Sequence, residues 1–424
     1  MAKRIGILTA GGDAPGLNVC LKAVVYNAID HGYEVIGIRK GWEGLLYYDP
    51  ENPDTHAAHT MIMTKSRIRD IDRTAGSFLH SSRLDPCQVS PEAVPSFLEH
   101  RKQGDQPFDP STGFTVSGAE LLRAQGGPVD LTDHIKCVVE RLRLEALVVL
   151  GDSAALNCAA RLSREGIPLI GIPKTVHNDV RGSDYSLGFS TALGRGVQFV
   201  YEVRAMAGSR EEIAVVEVLG RSTGLVTLLT SILSGSDRTL IPEVPFDPEA
   251  LALLLLEDKQ LNPNNYAILT MSEAARLAPE KAPRYAHELP RWLKPSRLAE
   301  ATAAKAQELG IEMGGRVSGS GAMVTEILEH LTGQRLIFQP LSLLLRTAVP
   351  DGQDLLGAMN FAMMAVNLLT AGKTGRLVAY RQGENYVDLP LETVTESGGN
   401  INVADYYDAK RFYPKPGILW AARI

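Results

Sequence analysis

No run of about 18 uninterrupted apolar residues occurs in this 424-residue chain, which excludes a conventional membrane-spanning helix. Cysteine is scarce. Cys20, Cys87, Cys137 and Cys158 stand far apart and match no metal or redox spacing, so a reducing compartment is expected rather than a disulfide framework. Positive charge is not in surplus either: 43 Lys and Arg against 49 Asp and Glu leave a net charge of −6. That balance is wrong for a nucleic-acid or anionic-membrane surface, so neither is expected as a partner. The opening Met1–Leu8 lacks the apolar core and small-residue cleavage site of a signal peptide, which predicts a cytoplasmic protein. No repeat of fixed period is present. These absences name no reaction.

What is present is alternation. Short β-branched runs at 4–9, 35–38, 147–150, 168–172, 213–219, 239–241 and 266–270 predict strands. Between them, Leu17 to His31 carries apolar residues at helical spacing and stops at Gly32. Helical patterns recur at 301–309, 324–331 and in the Met-rich stretch 355–369, whose methionines are expected to fill gaps in a helix core. Strand–helix alternation over this length predicts an α/β protein with two doubly wound lobes. Two regions break the rhythm. Residues 84–117, with five prolines, read as an insertion of loops and short helix, and Pro279 to Pro295 reads as a proline-punctuated connector.

Five motifs stand at strand ends. Gly11-Gly12-Asp13-Ala14-Pro15-Gly16-Leu17-Asn18 joins the first strand to the first helix, where glycines let backbone amides approach a phosphate. Pro173-Lys174-Thr175-Val176-His177-Asn178-Asp179 follows another strand, and Leu219-Gly220-Arg221 a third. Pro242-Glu243-Val244-Pro245-Phe246 and Ala75 to Arg83 complete the set. In order and spacing these motifs resemble the phosphofructokinase family from Ile5 to about Asp354, including a gap-free run from Thr332 to Arg346.

The resemblance implies two three-layer α/β/α lobes with the active site in the cleft between them. Residues 1–187 plus about 345–390 would bind the donor phosphates, 188–344 the sugar phosphate, and 391–424 would form a C-terminal extension. It implies a homo-oligomer, dimer or tetramer, and transfer of phosphate from ATP or pyrophosphate to fructose 6-phosphate with Mg²⁺. Gly12, Arg83, Asp152, Ser153 and Lys174 fall on the donor side. Thr175, Asp179, Gly220, Arg221, Glu243 and Arg346 fall on the sugar side, with His177, Asp179 and Arg221 in the catalytic positions.

The chain departs from the family pattern at the positions that matter for chemistry. Ser153 stands where the family has its metal-binding aspartate, with Asp152 one residue early and able to serve only if the loop re-registers. His177 stands where the family has the aspartate base, and reads either as an unorthodox base or as a satisfied polar residue. Leu343 and Leu345 replace a sugar-binding histidine and a glutamine, Glu212 replaces an arginine that reaches a neighbouring subunit's site, and His80 replaces a glycine beside the donor phosphates. Lys174 is the residue pyrophosphate-using members carry, yet Ala154 lacks their accompanying aspartate. Losing a positioned base costs roughly 10²–10⁴ in rate, so weak or altered transfer is expected. The alternative is a non-catalytic protein that binds a phosphometabolite or assembles with an active paralogue.

Overall fold

The computed structural model describes residues 3–99, 127–221, 223–285, 319–395 and 401–415. The predicted helix at 301–309, most of the 84–117 insertion beyond residue 99, and the later part of the 279–295 connector lie outside them. The chain divides into two compact units, Met1–Thr191 with Arg346–Ser397, and Ala192–Leu345 with Gly398–Ile424.

In the first unit, β1 (Lys3–Ala10) enters a glycine turn, α1 (Leu17–Asp30) returns, and β2 (Tyr33–Ile38) pairs parallel to β1. An unforeseen β3 (Thr60–Met63) adds antiparallel to β2. Next come α2 (Thr132–Arg141), β4 (Ala146–Gly151), α3 (Ser153–Arg164) and β5 (Leu169–Pro173), and then α4 (Phe189–Arg210), which leads out of the unit. All six residues of β4 and all five of β5 are buried, as a parallel sheet covered on both faces requires.

The second unit has a four-stranded parallel sheet in the order β7-β8-β6-β9. Its strands are β6 (Ile213–Val218), β7 (Arg238–Leu240), β8 (Ala267–Ser272) and β9 (Leu336–Pro340). They alternate with α5 (Leu225–Ser234), α6 (Pro248–Leu261) and α7 (Gly319–Thr332). Part of the predicted C-terminal extension also belongs here: Tyr407 donates its hydroxyl to the carbonyl of Thr239, and Thr239 donates its amide to Phe412.

Back in the first unit, α8 (Gly352–Thr370) packs on α1, and a hairpin of β10 (Arg376–Arg381) and β11 (Asn385–Pro390) completes a seven-stranded sheet. Its order is β11-β10-β5-β4-β1-β2-β3. Both units are wound as α/β layers, so the predicted fold class holds.

One expectation needs correction. Met359 and Met363 do not fill a core: they lie one turn apart on the outer face of α8, 54% and 52% exposed, while Phe361, Ala362 and Ala365 are buried. These two methionines fall on the helical face opposite Phe361, Ala362 and Ala365, while Met364 is half-buried. Cys87 and Cys158, distant in sequence, are brought together by the fold.

Candidate active site

The first sheet reverses its winding between β1 and β4, and ligands of open α/β sheets bind beyond the carboxyl ends of strands at such a switch point. Register fixes what meets there. Ala10 pairs with Gly151, and Gly151 pairs with Pro173. The next residues of three adjacent strands are therefore Gly11-Gly12, Asp152-Ser153 and Lys174-Thr175. The structure gathers most of the sequence-predicted donor residues at this one sheet edge.

The backbone amides of Gly11 and Gly12 are taken up within the protein. Gly11 donates to the carbonyl of Ser82 at 2.8 Å, and Gly12 donates to Asp152 Oδ2 at 3.0 Å. Asp152 is the N-cap of α3, its Oδ1 accepting from the amide of Ala155 at 3.1 Å. Its side chain thus points at the glycine turn, and both oxygens accept backbone N–H groups. Gly11 is obligatory: its φ is +84°, and a Cβ would lie 2.0 Å from Asp152 Oδ2. Ser153, the first residue of α3, donates its hydroxyl to the carbonyl of Asp179 at 3.0 Å.

Two cations flank the turn. A Cβ on Gly12 would meet Arg346 Nη1 at 2.7 Å and Arg83 Nη2 at 3.4 Å, so both guanidinium groups flank this glycine. Arg83 is held there because its loop is stitched to β1: Thr9 bonds Ser77 at 2.6 Å and the carbonyl of His80 at 2.8 Å, and Ser81 bonds the carbonyl of Gly11 at 2.6 Å. His80 adopts a φ of +59° and turns its ring to Arg39, 3.2 Å away.

Lys174 lies fully buried beneath the turn, its ammonium donating to the carbonyls of Ala10 and Gly12. Burial lowers its pKa from 10.5 to about 8; the carboxylates of Asp152 and Asp13 oppose that shift, and Arg346 and Arg83 reinforce it.

The loop after Lys174 closes on itself. The Thr175 hydroxyl donates to Asp179 Oδ1 at 3.0 Å and accepts from the amide of His177 at 3.1 Å. His177 is buried, and its Nε2 lies 3.0 Å from Arg346 Nη2. A guanidinium can only donate, so in this contact Nε2 is the accepting atom. Arg346 also donates to the carbonyl of Asp13 at 3.3 Å.

Gly220, Arg221 and Glu243 belong to the second unit, at the carboxyl ends of its own strands. The carbonyl of Gly220 accepts from Ser272, and a Cβ on Gly220 would lie 2.7 Å from that hydroxyl. Arg221, exposed, pairs with Glu273 at 3.3 Å. Glu243 Oε1 accepts from the amide of Gly224, the N-cap of α5, at 2.9 Å. Its Oε2 is buried and has no hydrogen-bond partner among the described residues. Leu343 is 78% exposed and Leu345 fully buried; Glu212 is half-buried.

Sequence reasoning missed Asp354 and Tyr185. The wholly buried Asp354 carboxylate accepts from the amides of Gly188 at 2.7 Å and Thr191 at 2.9 Å, and from the hydroxyls of Thr191 and Tyr185. It anchors the start of α8, eight residues beyond Arg346. The capping aspartate Asp351, whose Oδ1 accepts from the amide of Asp354 at 2.9 Å, was the available signal.

Fold and site together define an α/β protein with Arg83, Arg346 and Lys174 clustered about Gly12 at a sheet switch point. The sequence matches the phosphofructokinase family over residues 4–369, and the chain belongs to that family. It is 29% identical over 414 residues to a pyrophosphate–fructose 6-phosphate 1-phosphotransferase of Dictyoglomus thermophilum, covering 97% of this chain and 99% of that one. It is 30% identical over 402 residues to an ATP-dependent 6-phosphofructokinase of Chloroflexus aurantiacus, covering 94% and 92%. Among solved structures, the pyrophosphate-dependent phosphofructokinase of Nitrosospira multiformis shares the fold with a TM-score of 0.68 at 15% identity, over 98% of this chain and 89% of that one. No helix among the described residues is long and apolar enough to cross a membrane.

Proposed function

We propose that the chain binds a phosphoryl donor, ATP or pyrophosphate, and a phosphosugar such as fructose 6-phosphate, and that it transfers phosphate between them weakly. The observation that carries this reading is the cluster at Gly12. Arg83 and Arg346 flank it and Lys174 lies beneath, so three cations face two carboxylates, Asp13 and Asp152. Such an excess of positive charge favours a polyanion, and the arginines supply forked donors suited to phosphate oxygens. On the sugar side, Glu243, Arg221 and Gly220 are the binding candidates. Asp179, Thr175 and Ser153 brace the loop carrying His177.

Phosphoryl transfer rests on positioning and charge neutralisation. The family resemblance implies Mg²⁺, and the donor chemistry at the switch point does not suit it. Mg²⁺ is usually gripped by one or two carboxylates plus phosphate oxygens. At the position of the family's metal aspartate, Ser153 offers only a neutral hydroxyl already given to Asp179; Asp152 spends one lone pair of each oxygen on backbone N–H groups, and the charges of Asp152 and Asp13 are already matched by Lys174, Arg83 and Arg346. No step is therefore routed through the ion. The base position argues in the same direction: with Arg346 donating to Nε2, His177 can take a proton there only by giving up that bond.

The His177–Arg346 contact favours a second reading, a binding or regulatory subunit without turnover of its own. Both readings place donor binding in the first unit. Titration calorimetry with pyrophosphate, ATP and fructose 6-phosphate tests what they share. Binding of at least one of the two donors is expected, weakened by Arg83→Ala; heat from neither donor would refute the pocket. A coupled assay on Ser153→Asp/His177→Asp separates the readings, since a gain approaching the ~10²–10⁴ worth of a base is expected if only the chemistry has been lost.

A further inference from the structure

Cys87 follows Asp85 and Pro86 in a turn, and Cys158 sits midway along α3. Seventy-one positions of sequence separate the thiols, which is why no spacing motif betrays them. In the fold, one donor atom each from Asp85, Cys87 and Cys158 lies within 4.8 Å of the other two. Both cysteines are buried, 5% and 4% exposed. The cluster is separate from the switch-point residues and has no part in the chemistry proposed above.

Two thiolates and a carboxylate form the donor set of a borderline-soft, tetrahedral cation, with metal–sulfur bonds of about 2.3 Å and metal–oxygen bonds of about 2.0–2.2 Å. Two such sulfurs on one tetrahedral ion stand roughly 3.8 Å apart by that geometry. The observed cluster therefore closes onto a cation with shifts of about 1 Å or less. The ligands are also supported from outside. Asp85 Oδ1 accepts the amide of Cys87 at 2.9 Å, and Thr132 Oγ1 lies 3.5 Å from Cys87 Sγ. Thr132 in turn is fixed by Asp130 at 2.6 Å, which Arg161 pairs. Metal sites characteristically carry such a supporting layer.

We propose that Asp85, Cys87 and Cys158 bind a thiophilic divalent cation of the zinc class, with water in the fourth position. The ion ties the loop that follows Arg83 to α3, whose N-cap, Asp152, holds Gly12. With three protein ligands and an open fourth position, it tethers that loop to α3, and each thiol gives up its proton when the metal–sulfur bond forms.

The test is a Co²⁺ titration of full-length protein, freed of metal by chelator under reductant. Saturation at one Co²⁺ per chain is expected, with a thiolate-to-cobalt charge-transfer band in the near ultraviolet. Equimolar Zn²⁺ should displace the band and raise Tm. Cys158→Ala and Cys87→Ala should each abolish stoichiometric binding, and Cys137→Ser should leave the band intact. Asp85→Asn should weaken Zn²⁺ binding by at least the ~10–100-fold that changes in supporting residues alone cost. The proposal is overturned if wild-type protein gives no band, or if the band survives removal of both Cys87 and Cys158. It is equally overturned if metal-free protein under reductant takes up Co²⁺ only at sites that leave both thiols open to alkylation. The wild-type titration and thiol count do not depend on any variant folding.

Discussion

Alanine at Gly12 separates binding from folding, because only side-chain tips stand in the way of the new methyl group. The φ of Gly12 lies outside the left-handed region, so the backbone accepts alanine. The Cβ would sit 2.7 Å from Arg346 Nη1, which must retreat by about 0.7 Å to reach the 3.4 Å of an ordinary contact. That movement strains the bonds from Arg346 to His177 Nε2 at 3.0 Å and to the carbonyl of Asp13 at 3.3 Å. Hydrogen bonds to charged groups contribute about 1.5–3 kcal/mol each, and Gly→Ala restores about 0.4–1 kcal/mol through the unfolded chain. Stability should therefore fall only modestly. Binding should suffer more. Misplacing one guanidinium contact to a phosphate, at about 1.5–3 kcal/mol, weakens Kd for pyrophosphate roughly 10- to 150-fold. Gly11→Ala is the contrasting control, since its Cβ would lie 2.0 Å from Asp152 Oδ2 at a φ of +84°, and it should unfold at markedly lower temperature. Calorimetry with pyrophosphate, beside thermal melting of both variants, reads the two effects apart. Unchanged pyrophosphate affinity in a well-folded Gly12→Ala protein would refute the placement of the anion at this turn.

Other outcomes follow from the same geometry. With the Lys174 pKa lowered from 10.5 to about 8, the unfolded chain binds more protons than the folded one between those values. The Lys174 contribution to stability therefore rises with pH from about 8 to 10.5, by up to ~1.4 kcal/mol per pH unit; Lys174→Met should lack that rise in Tm–pH curves, and an identical rise in the variant would count against it. Asp354→Ala strands two buried amides and two buried hydroxyls, at ~1–3 kcal/mol for a buried donor left unpaired. A loss of at least about 3 kcal/mol in denaturant unfolding is expected, and a loss below 1 kcal/mol would show that Asp354 does not anchor α8.

Much of this architecture was legible from the chain alone. β1, α1 and β2 followed from apolar periodicity and a helix stop at Gly32, and the motifs at strand ends marked where side chains converge. Side-chain direction was not legible. Asp152 was read only as standing one residue before the metal position; that it caps α3 and faces Gly12 follows from the amides of Ala155 and Gly12 both bonding its carboxylate, which the sequence does not show. The glycine turn itself signalled a phosphate cradle, yet Ser82 and Asp152 take up the amides of Gly11 and Gly12, a long-range pairing that no local pattern encodes. The outward turn of Met359 and Met363 depended on which face of α8 the sheet covers. The edge strands at 385–390 and 60–63 went unseen because short, half-buried strands carry weak alternation, and with them the hairpin that pairs 376–381 to the sheet. Asp354 needed partners at Tyr185, Gly188 and Thr191, far off in sequence, before its role was visible.

The central claim is that Arg346 occupies the base position's proton-accepting atom, so that His177 does not drive transfer. Steady-state turnover of wild-type protein and His177→Ala, with Mg²⁺, fructose 6-phosphate and either ATP or pyrophosphate, tests it most directly. The account predicts low rates that differ little between the two proteins. Brisk wild-type turnover abolished by His177→Ala would contradict it.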